Sequence, residues 1–133
     1  MCGICGQLRF DGKNVSSKSL KAMMTRLARR GPDSSGQWVD GKIGFGHQRL
    51  SIIDLSSHGA QPMLDDVLNL VLVFNGTIYN YKRLRLQLAK KGYSFFSHSD
   101  TEVILKAYHY WGEDCVEHLD GMFAFCVYDI TKQ

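Results

Sequence analysis

The sequence predicts a layered α+β or α/β fold, and three observations support this prediction. Strand-like apolar stretches alternate with segments of helical periodicity, in the order β, α, β-β-β, α, β, α, β. The length of 133 residues and the hydrophobic fraction of 44% suit one globular domain or part of one. No repeat, linker or low-complexity segment interrupts the sequence. The pattern alone does not choose between the two fold classes.

The first half of the chain is predicted to contain three strands and one helix. Residues 4–10 are predicted as a strand, because apolar residues precede an Asp-Gly turn signal. Residues 17–30 are predicted as an amphipathic helix, because apolar residues recur with helical spacing before a Gly-Pro stop. Residues 36–39 and 43–50 are predicted as short strands around a glycine turn, and residues 54–65 as a loop.

The middle of the chain is predicted to hold a buried strand and a second helix. Residues 67–74 (VLNLVLVF) form a nearly continuous apolar run, which is typical of a strand buried on both faces. Asn75-Gly76 is predicted to break this strand, and residues 79–91 are predicted as a helix that a glycine ends. A short strand over residues 93–96 is predicted to follow.

The last third is predicted to contain a capped helix and a final strand. Ser99 and Glu102 have the spacing of a capping box, in which the serine caps the helix and the glutamate reaches back to it. The helix ends at Gly112, a short helix is predicted over residues 113–119, and residues 122–128 (MFAFCVY) are predicted as a buried strand. We expect that strand to form a sheet edge in need of a neighbour, and therefore expect a truncated domain.

Composition and charge argue against several classes of function. The net charge of +3 is too small to indicate a nucleic-acid partner, and the basic clusters are predicted as solvated helix faces. Neither a run of 18 apolar residues nor a signal-peptide pattern occurs, which argues against a membrane or exported protein. The four cysteines are therefore expected to stay reduced in a cytoplasmic protein. The basic clusters contain Arg26, Arg29, Arg30, Lys82, Arg83, Arg85, Lys90 and Lys91.

The opening MCGICG allows three interpretations. Cys2 and Cys5 have a spacing seen in zinc and redox sites, but structural zinc needs four ligands and no helix is predicted to follow, so we expect no metal site. Cys5 and Cys126 are most simply small buried residues in strands. The third interpretation is that Met1 is removed, which a small second residue favours, so that Cys2 becomes an N-terminal nucleophile.

An N-terminal cysteine would carry its own base. A free thiol has a pKa of about 8.5, whereas an α-amine has a pKa of about 8 and is well matched to accept the thiol proton near neutral pH. Gly3 would let the backbone approach a substrate closely. If Met1 is retained, the amine is blocked and displaced by one residue, and we expect negligible activity.

Other residues have groups suited to binding an amino acid that carries a side-chain amide. The Asn75 carboxamide and the Gly76 N–H could donate to an oxyanion, although an Asn-Gly pair alone is more often a plain turn. Arg49 could bind a carboxylate with two hydrogen bonds, or lie on the surface. Asp100 could hold an ammonium group, or stabilise its helix through the helix dipole. Together with a thiol, these groups describe a site for glutamine or asparagine.

Five ordered motifs resemble one known family. The segments MCGICG, RRGPDSSG, GHQRLSIIDLSSHGAQPM, FNGTIYNY and SDTEVIL are similar to the glutamine amidotransferase domain of asparagine synthetase-type enzymes. That domain is the class II, N-terminal nucleophile group, and the match runs from Met1 to about Tyr128. The segments RLSIIDLS, GAQPM and the helix ending YHYWG favour the asparagine synthetase branch over the phosphoribosyl and hexosamine branches.

The resemblance implies an α+β fold, the four-layer αββα sandwich of N-terminal nucleophile hydrolases, and hydrolysis of glutamine to glutamate and ammonia. It implies that mature Cys2 attacks the side-chain amide and forms a γ-glutamyl thioester, with Asn75 and Gly76 as the oxyanion hole. The glutamine-binding residues that it implies are Arg49 for the carboxylate, Asp100 for the ammonium group, and Leu50, Ile52, Asn75, Gly76 and Thr77 along the pocket.

One position departs from the family pattern. The family usually reads Asn-Gly-Glu-Ile-Tyr-Asn, whereas this chain has Thr77 in place of the glutamate. The missing carboxylate should weaken recognition of the substrate ammonium group, or mark a subfamily. Thr77 together with LRFDG, YNY, FFS and WGEDCVEHLDGMFAF resembles the N-acetylglutaminylglutamine amidotransferase branch.

The synthetase half of the family is not represented in residues 1–133. Neither a Ser-Gly-Gly-x-Asp-Ser motif nor a Walker loop occurs, so we expect an incomplete amidotransferase domain that needs no cofactor. ATP and Mg²⁺ are expected only for a C-terminal synthetase domain, which would pass the ammonia to aspartate or to a glutaminyl peptide. The alternative is an inactive fragment that acts only in domain docking or in self-association as a homo-oligomer.

Overall fold

The chain folds into four layers, with two antiparallel sheets between layers of helices, in a computed structural model that describes residues 1–132. The first sheet contains β1 (Gly3–Leu8), β2 (Ser34–Asp40) and β3 (Ile43–Arg49). The second sheet contains β4 (Met63–Asp65), β5 (Leu70–Ile78) and β6 (Gly121–Asp129). Strands β3 and β5 are the central strands of their sheets. This αββα arrangement is the one that the family resemblance implied.

Helices cover the outer faces of the two sheets. They are α1 (Ser17–Leu27), α2 (Tyr81–Lys90) and α3 (Asp100–Trp111). Helix α1 packs on the first sheet, whereas α2 packs on α3 and α3 packs on β5. Shorter 3₁₀ helices span Ala28–Arg30, Ser57–Gly59 and Gly112–His118.

Close packing of α1 explains two glycines of β3. The apolar side of this helix buries Leu20 and Met24. A Cβ atom at Gly44 would lie 2.7 Å from the Leu20 side chain, and one at Gly46 would lie 2.7 Å from Met24. Because protein interiors are closely packed, larger residues at these two positions would push α1 away from the sheet.

The main apolar core lies between the second sheet and helices α2 and α3. Side chains from one face of β5 meet the buried sides of both helices, and complete burial of each contributes about 1.5–3 kcal/mol. The central members are Leu70, Leu72, Phe74, Ile78, Leu84, Leu88, Val103, Ile104 and Leu105. This core fixes the positions of β5 and of the start of α3, which both contribute to the cavity described below.

The opposite face of β5 packs against the first sheet. The apolar part of this inter-sheet layer contains Ile43, Phe45, Val71 and Val73. Every second side chain of a strand lies on the same face, so the inner faces of β3 and β5 can be followed along each strand. On both strands the apolar side chains are followed by polar ones towards the other end of the layer. These polar residues are His47 and Arg49 on β3 and Asn75 and Thr77 on β5. The inter-sheet layer therefore changes from apolar to polar along its length.

Three predicted elements of the middle region differ from the structure. The predicted break at Asn75-Gly76 is wrong, because β5 continues through both residues. The predicted strand over residues 93–96 is wrong, because this segment is irregular and its last N–H donates to Glu102. The predicted loop over residues 54–65 contains a 3₁₀ turn and strand β4.

The start of α3 is capped as predicted, but its glutamate has a different role. Ser99 accepts a hydrogen bond from the Thr101 N–H at 2.9 Å, as an N-cap should. The Glu102 carboxylate does not return to Ser99. It accepts instead from the backbone N–H groups of Phe96 and Ser97, at 2.9 and 2.7 Å, and so orders the loop that leads into α3.

Strand β6 lies at the edge of the second sheet, and the prediction that it is buried is wrong. Its side chains alternate between half-buried and exposed, and Met122 is 67% exposed. Cys126 is exposed and Cys5 is half-buried, so neither is the buried residue that we predicted. The reason is that β1 and β3 of the first sheet pack mainly on the central strand β5, whereas β6 meets the first sheet where Tyr128 packs against Trp38 of β2.

Candidate active site

One cavity lies at the polar end of the inter-sheet layer, and the residues predicted from the sequence converge on it. Its lining includes Cys2, Arg49, Leu50, Ile52, Asn75, Gly76, Thr77 and Asp100. These residues come from the position just before β1, the end of β3 and the loop after it, the second half of β5 and the first turn of α3. Every predicted site residue therefore reaches the same place, although the residues lie far apart in the sequence.

The Cys2 thiol is held at the cavity wall by the backbone of Leu50. The Leu50 N–H donates to Sγ at 3.3 Å, and the thiol donates to the Leu50 carbonyl oxygen at 3.5 Å. Arg30 Nε donates to the Cys2 carbonyl oxygen at 3.1 Å, which fixes the peptide that follows the nucleophile. Met1 is 65% exposed and lines the same cavity, so its removal would leave the Cys2 amine there.

Two glycines near the cavity are required by close packing. A Cβ atom at Gly3 would lie 2.8 Å from Leu27 Cβ in α1, so helix packing alone requires this glycine, and its predicted role in substrate approach stays a prediction. Gly76 pairs with Phe123 in the ladder between β5 and β6 and has a φ of 150°. A Cβ atom there would lie 2.1 Å from the Met122 carbonyl oxygen, so only glycine fits this position.

The Asn75 side chain is part of the cavity wall and is not used by the fold. Its carboxamide oxygen is buried and has no hydrogen-bond partner among residues 1–132. Leaving a buried polar group without a partner costs about 1–3 kcal/mol, so fold stability does not explain an asparagine here. A carboxamide in this position is suited to a polar ligand that enters the cavity.

The Arg49 guanidinium is buried and is braced by the loop that follows it. Its Nη1 donates to the Ser56 carbonyl oxygen at 2.9 Å, and its Nη2 donates to the Asp54 carbonyl oxygen. Gly59 leaves room for this arrangement, since a Cβ atom there would lie 2.5 Å from Nη2. A guanidinium has five N–H donors, so donors remain for a carboxylate in the cavity.

Asp100 is buried in the first turn of α3 and lines the cavity. Its carboxylate accepts from the Ile78 N–H at 3.0 Å, which ties α3 to the end of β5. Burial raises the pKa of the Asp100 carboxyl, although this hydrogen bond and N–H groups at the start of α3 oppose the shift. A cation in the cavity would offset the cost of burial, because a nearby opposite charge favours the ionised carboxylate.

The remaining predicted residues lie along the cavity wall. Thr77 is half-buried on the same face of β5 as Asn75. Ile52 is 69% exposed and lies in the loop after β3, next to Ser51, whose N–H donates to Asp33 at 2.8 Å. These positions suit contact with a ligand, and the binding roles of Thr77, Leu50 and Ile52 stay predictions.

The cavity lining also contains residues that were not predicted from the sequence, and two of them, Asp54 and Gln61, form hydrogen bonds that hold the site together. Gln61 accepts from the Phe74 N–H at 2.6 Å and donates to Thr101 Oγ1 at 3.4 Å, so it links β5 to α3. Asp54 accepts from the His98 N–H at 3.0 Å. Both residues lie within the segment GHQRLSIIDLSSHGAQPM. Their position in this motif is the sequence feature from which a place in the site could have been predicted.

His47 is buried one side chain away from Arg49 in the same row of β3. It is 1% exposed, and neither ring nitrogen has a hydrogen-bond partner among residues 1–132. Burial, together with the charge of Arg49, lowers the pKa of His47 to about 4. The nearby Phe74 backbone opposes this shift without forming a hydrogen bond of normal geometry. His47 is therefore a neutral imidazole at pH 7.

The fold and the site together define a class of protein. An αββα sandwich with a cysteine at position 2, at the polar end of its inter-sheet layer, is the architecture of an N-terminal nucleophile hydrolase. Among solved structures, a glutamine phosphoribosylpyrophosphate amidotransferase from Bacillus subtilis with ADP and GMP is similar, with a TM-score of 0.56 and 26% identity over 68% of this chain and 22% of that chain. A second structure, an allosteric regulatory enzyme of purine biosynthesis, has a TM-score of 0.56 and 29% identity.

Sequence relatives identify the family. A family model described as a glutamine amidotransferase domain matches residues 1–133. An asparagine synthetase (glutamine-hydrolyzing) of Bacillus subtilis is 42% identical over 97% of this chain and 21% of its own length. Asparagine synthetase B of Escherichia coli is 40% identical over 99% of this chain and 24% of its own length. The chain belongs to the glutamine amidotransferase domain family.

These relatives bear on two predictions. A putative asparagine synthetase of Methanocaldococcus jannaschii is also 41% identical, over 99% of this chain and 28% of its own length. The resemblance to the asparagine synthetase family is therefore confirmed, while the N-acetylglutaminylglutamine branch stays a prediction. This chain spans about a quarter of the length of the curated relatives that it matches.

The rest of the described chain has features that bear on its chemistry. Each of the four cysteines is a free thiol. Within residues 1–132, the structure has no helix with the length and apolar character that crossing a membrane requires. In the same residues, no group of three or more His, Cys, Asp and Glu side chains is arranged to hold a metal ion.

Proposed function

We propose that this domain hydrolyses the side-chain amide of L-glutamine, with Cys2 as the N-terminal nucleophile after removal of Met1. The observation that carries the proposal is the convergence of four groups on one cavity. These groups are a thiol, a buried guanidinium, a carboxamide without a partner for its oxygen, and a buried carboxylate. Relatives named as glutamine-hydrolyzing over nearly the whole chain support glutamine as the substrate.

Substrate binding in this proposal relies on two opposite charges. Arg49 binds the α-carboxylate with the N–H groups that its own loop does not use, and Asp100 binds the α-ammonium group. An α-amino acid carries both groups on one carbon, so the two binding side chains must be fixed relative to each other. The side-chain amide then extends towards Cys2 and Asn75.

The first half of the reaction forms a thioester. The Cys2 sulfur attacks the amide carbon while the Cys2 α-amine takes the thiol proton. The Asn75 carboxamide N–H and the Gly76 N–H stabilise the negative charge that develops on the amide oxygen. The C–N bond then breaks as the protonated amine gives its proton to the leaving nitrogen. Ammonia departs and a γ-glutamyl thioester remains.

The second half of the reaction regenerates the thiol. Water adds to the thioester carbonyl while the α-amine takes a proton from it, and the same oxyanion donors stabilise the intermediate. Cleavage of the C–S bond releases glutamate, and the proton returns to the sulfur. Nucleophile, proton carrier and oxyanion donors are all supplied by the chain, so the proposed hydrolysis needs no cofactor.

We propose further that the ammonia passes to a C-terminal synthetase domain that uses ATP and Mg²⁺, because nearly the whole chain covers only 21% and 24% of the length of two such relatives. The acceptor in that domain would be aspartate or a glutaminyl peptide. The exposed side chains of β6, including Met122 and Cys126, offer a surface for that domain or for a second copy of the chain. A cytoplasmic location would keep the four free thiols reduced.

The proposal is tested by the intact mass of the protein after incubation with 6-diazo-5-oxo-norleucine, a glutamine mimic that alkylates nucleophilic thiols. We expect loss of Met1 and a single adduct, which is absent in Cys2→Ala and retained in Cys126→Ala. Loss of Met1 without an adduct would mean that the cavity does not bind glutamine. Retained Met1 with no glutamine turnover would favour the alternative of a fragment that acts only in docking.

A further inference from the structure

We propose that Asp54 is a positioning residue that ties Arg49 and Asp100 to each other. The inference rests on the proposed function and names the group that sets the selectivity of the site for α-amino acids. Asp54 is buried in the cavity wall, with 8% of its surface exposed. Both of its carboxylate oxygens accept hydrogen bonds from the protein, so it acts through other residues rather than on the substrate.

On the Arg49 side, Asp54 acts through its own backbone and through Ser56. Arg49 Nη2 donates to the Asp54 carbonyl oxygen, and Nη1 donates to the Ser56 carbonyl oxygen at 2.9 Å. Asp54 Oδ1 accepts from the Ser56 N–H at 2.8 Å and from the Ser56 hydroxyl at 2.6 Å. The carboxylate therefore closes the turn whose two carbonyl oxygens orient the guanidinium.

On the Asp100 side, Asp54 acts through the backbone that leads into α3. Its Oδ2 accepts from the His98 N–H at 3.0 Å. Ser99 follows and caps α3, and Asp100 is the first residue of that helix. Because this connection is so short, a displacement of the His98 amide displaces the Asp100 carboxylate as well. One side chain thus holds both groups that must match the α-carbon of the substrate.

The charge of Asp54 suits this connecting role. Burial would raise the pKa of its carboxyl, but hydrogen bonds from Ser56 and His98 and the charge of Arg49 hold that pKa below its usual value. The side chain is therefore ionised at neutral pH, and hydrogen bonds to an ionised acceptor are roughly twice as strong as neutral ones. A substitution that keeps the shape but removes the charge should loosen both binding groups together.

Asp129 provides a matched control elsewhere in the fold. Its Oδ1 accepts from the N–H and the hydroxyl of Thr131 at 3.0 and 2.6 Å, which is the same local turn that Asp54 makes with Ser56. Hydrogen bonding to Thr131 also lowers the pKa of Asp129. Asp129 is the last residue of β6 and pairs with Leu70, at the opposite end of β5 from the cavity. Its amide variant therefore loses a local turn without loosening Arg49 or Asp100.

The experiment compares Asp54→Asn and Asp129→Asn with the wild-type chain, each confirmed by mass to begin at Cys2. Three amides are offered: L-glutamine, glutaramate, which lacks the α-ammonium group, and 4-aminobutanamide, which lacks the α-carboxylate. In Asp54→Asn we expect KM for L-glutamine to rise about 10- to 100-fold with little change in kcat, because charged hydrogen bonds are lost. The preference for L-glutamine over both analogues should fall by a similar factor, and Asp129→Asn should keep both preferences.

Amide hydrogen exchange gives a second readout that does not depend on turnover. The His98 amide should exchange faster in Asp54→Asn and at the wild-type rate in Asp129→Asn. If Asp54→Asn does not fold, Ser56→Ala removes one donor to the carboxylate and gives a milder version of the same test.

Several results would overturn the inference. An active Asp54→Asn protein that keeps both preferences, even with a lower Tm, would show a role in stability alone. Loss of only one preference would show that Asp54 does not couple the two binding groups. A wild-type chain that hydrolyses no glutamine would overturn the proposed function itself, and the inference would fail with it.

Discussion

The two faces of strand β5 differ in polarity and in what they contact. One face presents Leu72, Phe74 and Ile78 to the helices, where they are almost completely buried among apolar side chains. The other face presents Asn75 and Thr77 to the cavity, where the Asn75 oxygen is buried without a partner among residues 1–132. Neighbouring residues of β5, such as Phe74 and Asn75, therefore belong to the apolar core and to the polar cavity wall respectively.

This difference indicates that stability and chemistry are carried by alternate residues and can be changed separately. Successive side chains of a strand point to opposite faces, so a substitution on one face leaves the other face in place. The helix face should respond in the free energy of unfolding, and the cavity face in kinetic constants. The following substitutions test that separation.

The largest effect on activity is expected from substitution of the nucleophile Cys2, which lines the same cavity as Asn75 and Thr77. Cys2→Ala should reduce glutamine hydrolysis by at least about 10³-fold, because no other group can form the thioester. Its Tm should change little, since the thiol makes only long hydrogen bonds to Leu50, at 3.3 and 3.5 Å. Cys126→Ala is the control and should keep full activity. A Cys2→Ala protein with a tenth of wild-type turnover would contradict the role of this thiol.

A change on the cavity face of β5 should act on kcat alone. We expect Asn75→Ala to lower kcat by about 10²–10³-fold, the loss typical for one oxyanion donor. The free energy of unfolding should change by less than about 1 kcal/mol, because the carboxamide oxygen has no partner to lose. Steady-state kinetics and urea unfolding measure the two quantities. A destabilisation of several kcal/mol would break the separation of the two faces.

A change on the helix face should do the reverse. Leu72→Ala should destabilise the fold by about 3 kcal/mol, because it leaves a cavity in a core position with no exposure. Below its Tm, the variant should keep near-normal KM and kcat. Leu86→Ala, on the exposed side of α2, is the control and should unfold like the wild type. Loss of activity in fully folded Leu72→Ala protein would mean that the core also shapes the cavity.

Lowering the pH should reduce the free energy of unfolding, because His47 at the polar end of the inter-sheet layer is neutral in the folded protein. The folded pKa of about 4 lies below the ordinary value, so the unfolded chain takes up this proton first as the pH falls. The contribution of neutral His47 to the free energy of unfolding is therefore fully present above about pH 7 and is lost as the pH falls from 6.5 to 4. At pH 5 the free energy of unfolding should be lower by about 2 kcal/mol for this reason. His47→Asn should flatten this part of the stability profile, whereas exposed His58→Asn should not. An equally steep profile in His47→Asn would contradict the assignment.

The smallest effect is expected at the position that departs from the family pattern. Thr77→Glu should lower KM for glutamine by about twofold to fivefold, the size expected of one partly exposed ion pair with the substrate ammonium group. Thr77→Gln adds the same length without the charge and serves as the control. An unchanged or higher KM in Thr77→Glu would show that the missing carboxylate does not limit substrate binding.

Much of the site was predictable because its residues lie in short motifs with a clear chemical logic. A thiol, a guanidinium, a carboxamide and a carboxylate at Cys2, Arg49, Asn75 and Asp100 define an amino acid amide before any fold is known, and the structure brings all four together. The layers were predictable because a continuous apolar strand and amphipathic helices must share a core.

What could not be predicted depends on contacts between distant residues. Local turn preference predicted a break at Asn75-Gly76, but pairing with β6 keeps this segment in a strand, and the close approach of Met122 selects the glycine. The bond between Asp54 and His98 joins residues 44 positions apart. The exposure of Cys126 depends on which strands pack over β6, and periodicity along the chain carries no information about that.

The bracing of Arg49 has a consequence for how this protein can vary. The guanidinium is bonded to carbonyl oxygens of Asp54 and Ser56, so residues 49–56 form a ring that non-covalent bonds close. Surface loops usually tolerate insertions and deletions, but a ring of this kind has a fixed circumference. One added residue would carry a carbonyl oxygen out of reach of the guanidinium. We therefore expect homologues that keep an arginine here to differ in the identity of the loop residues and not in their number.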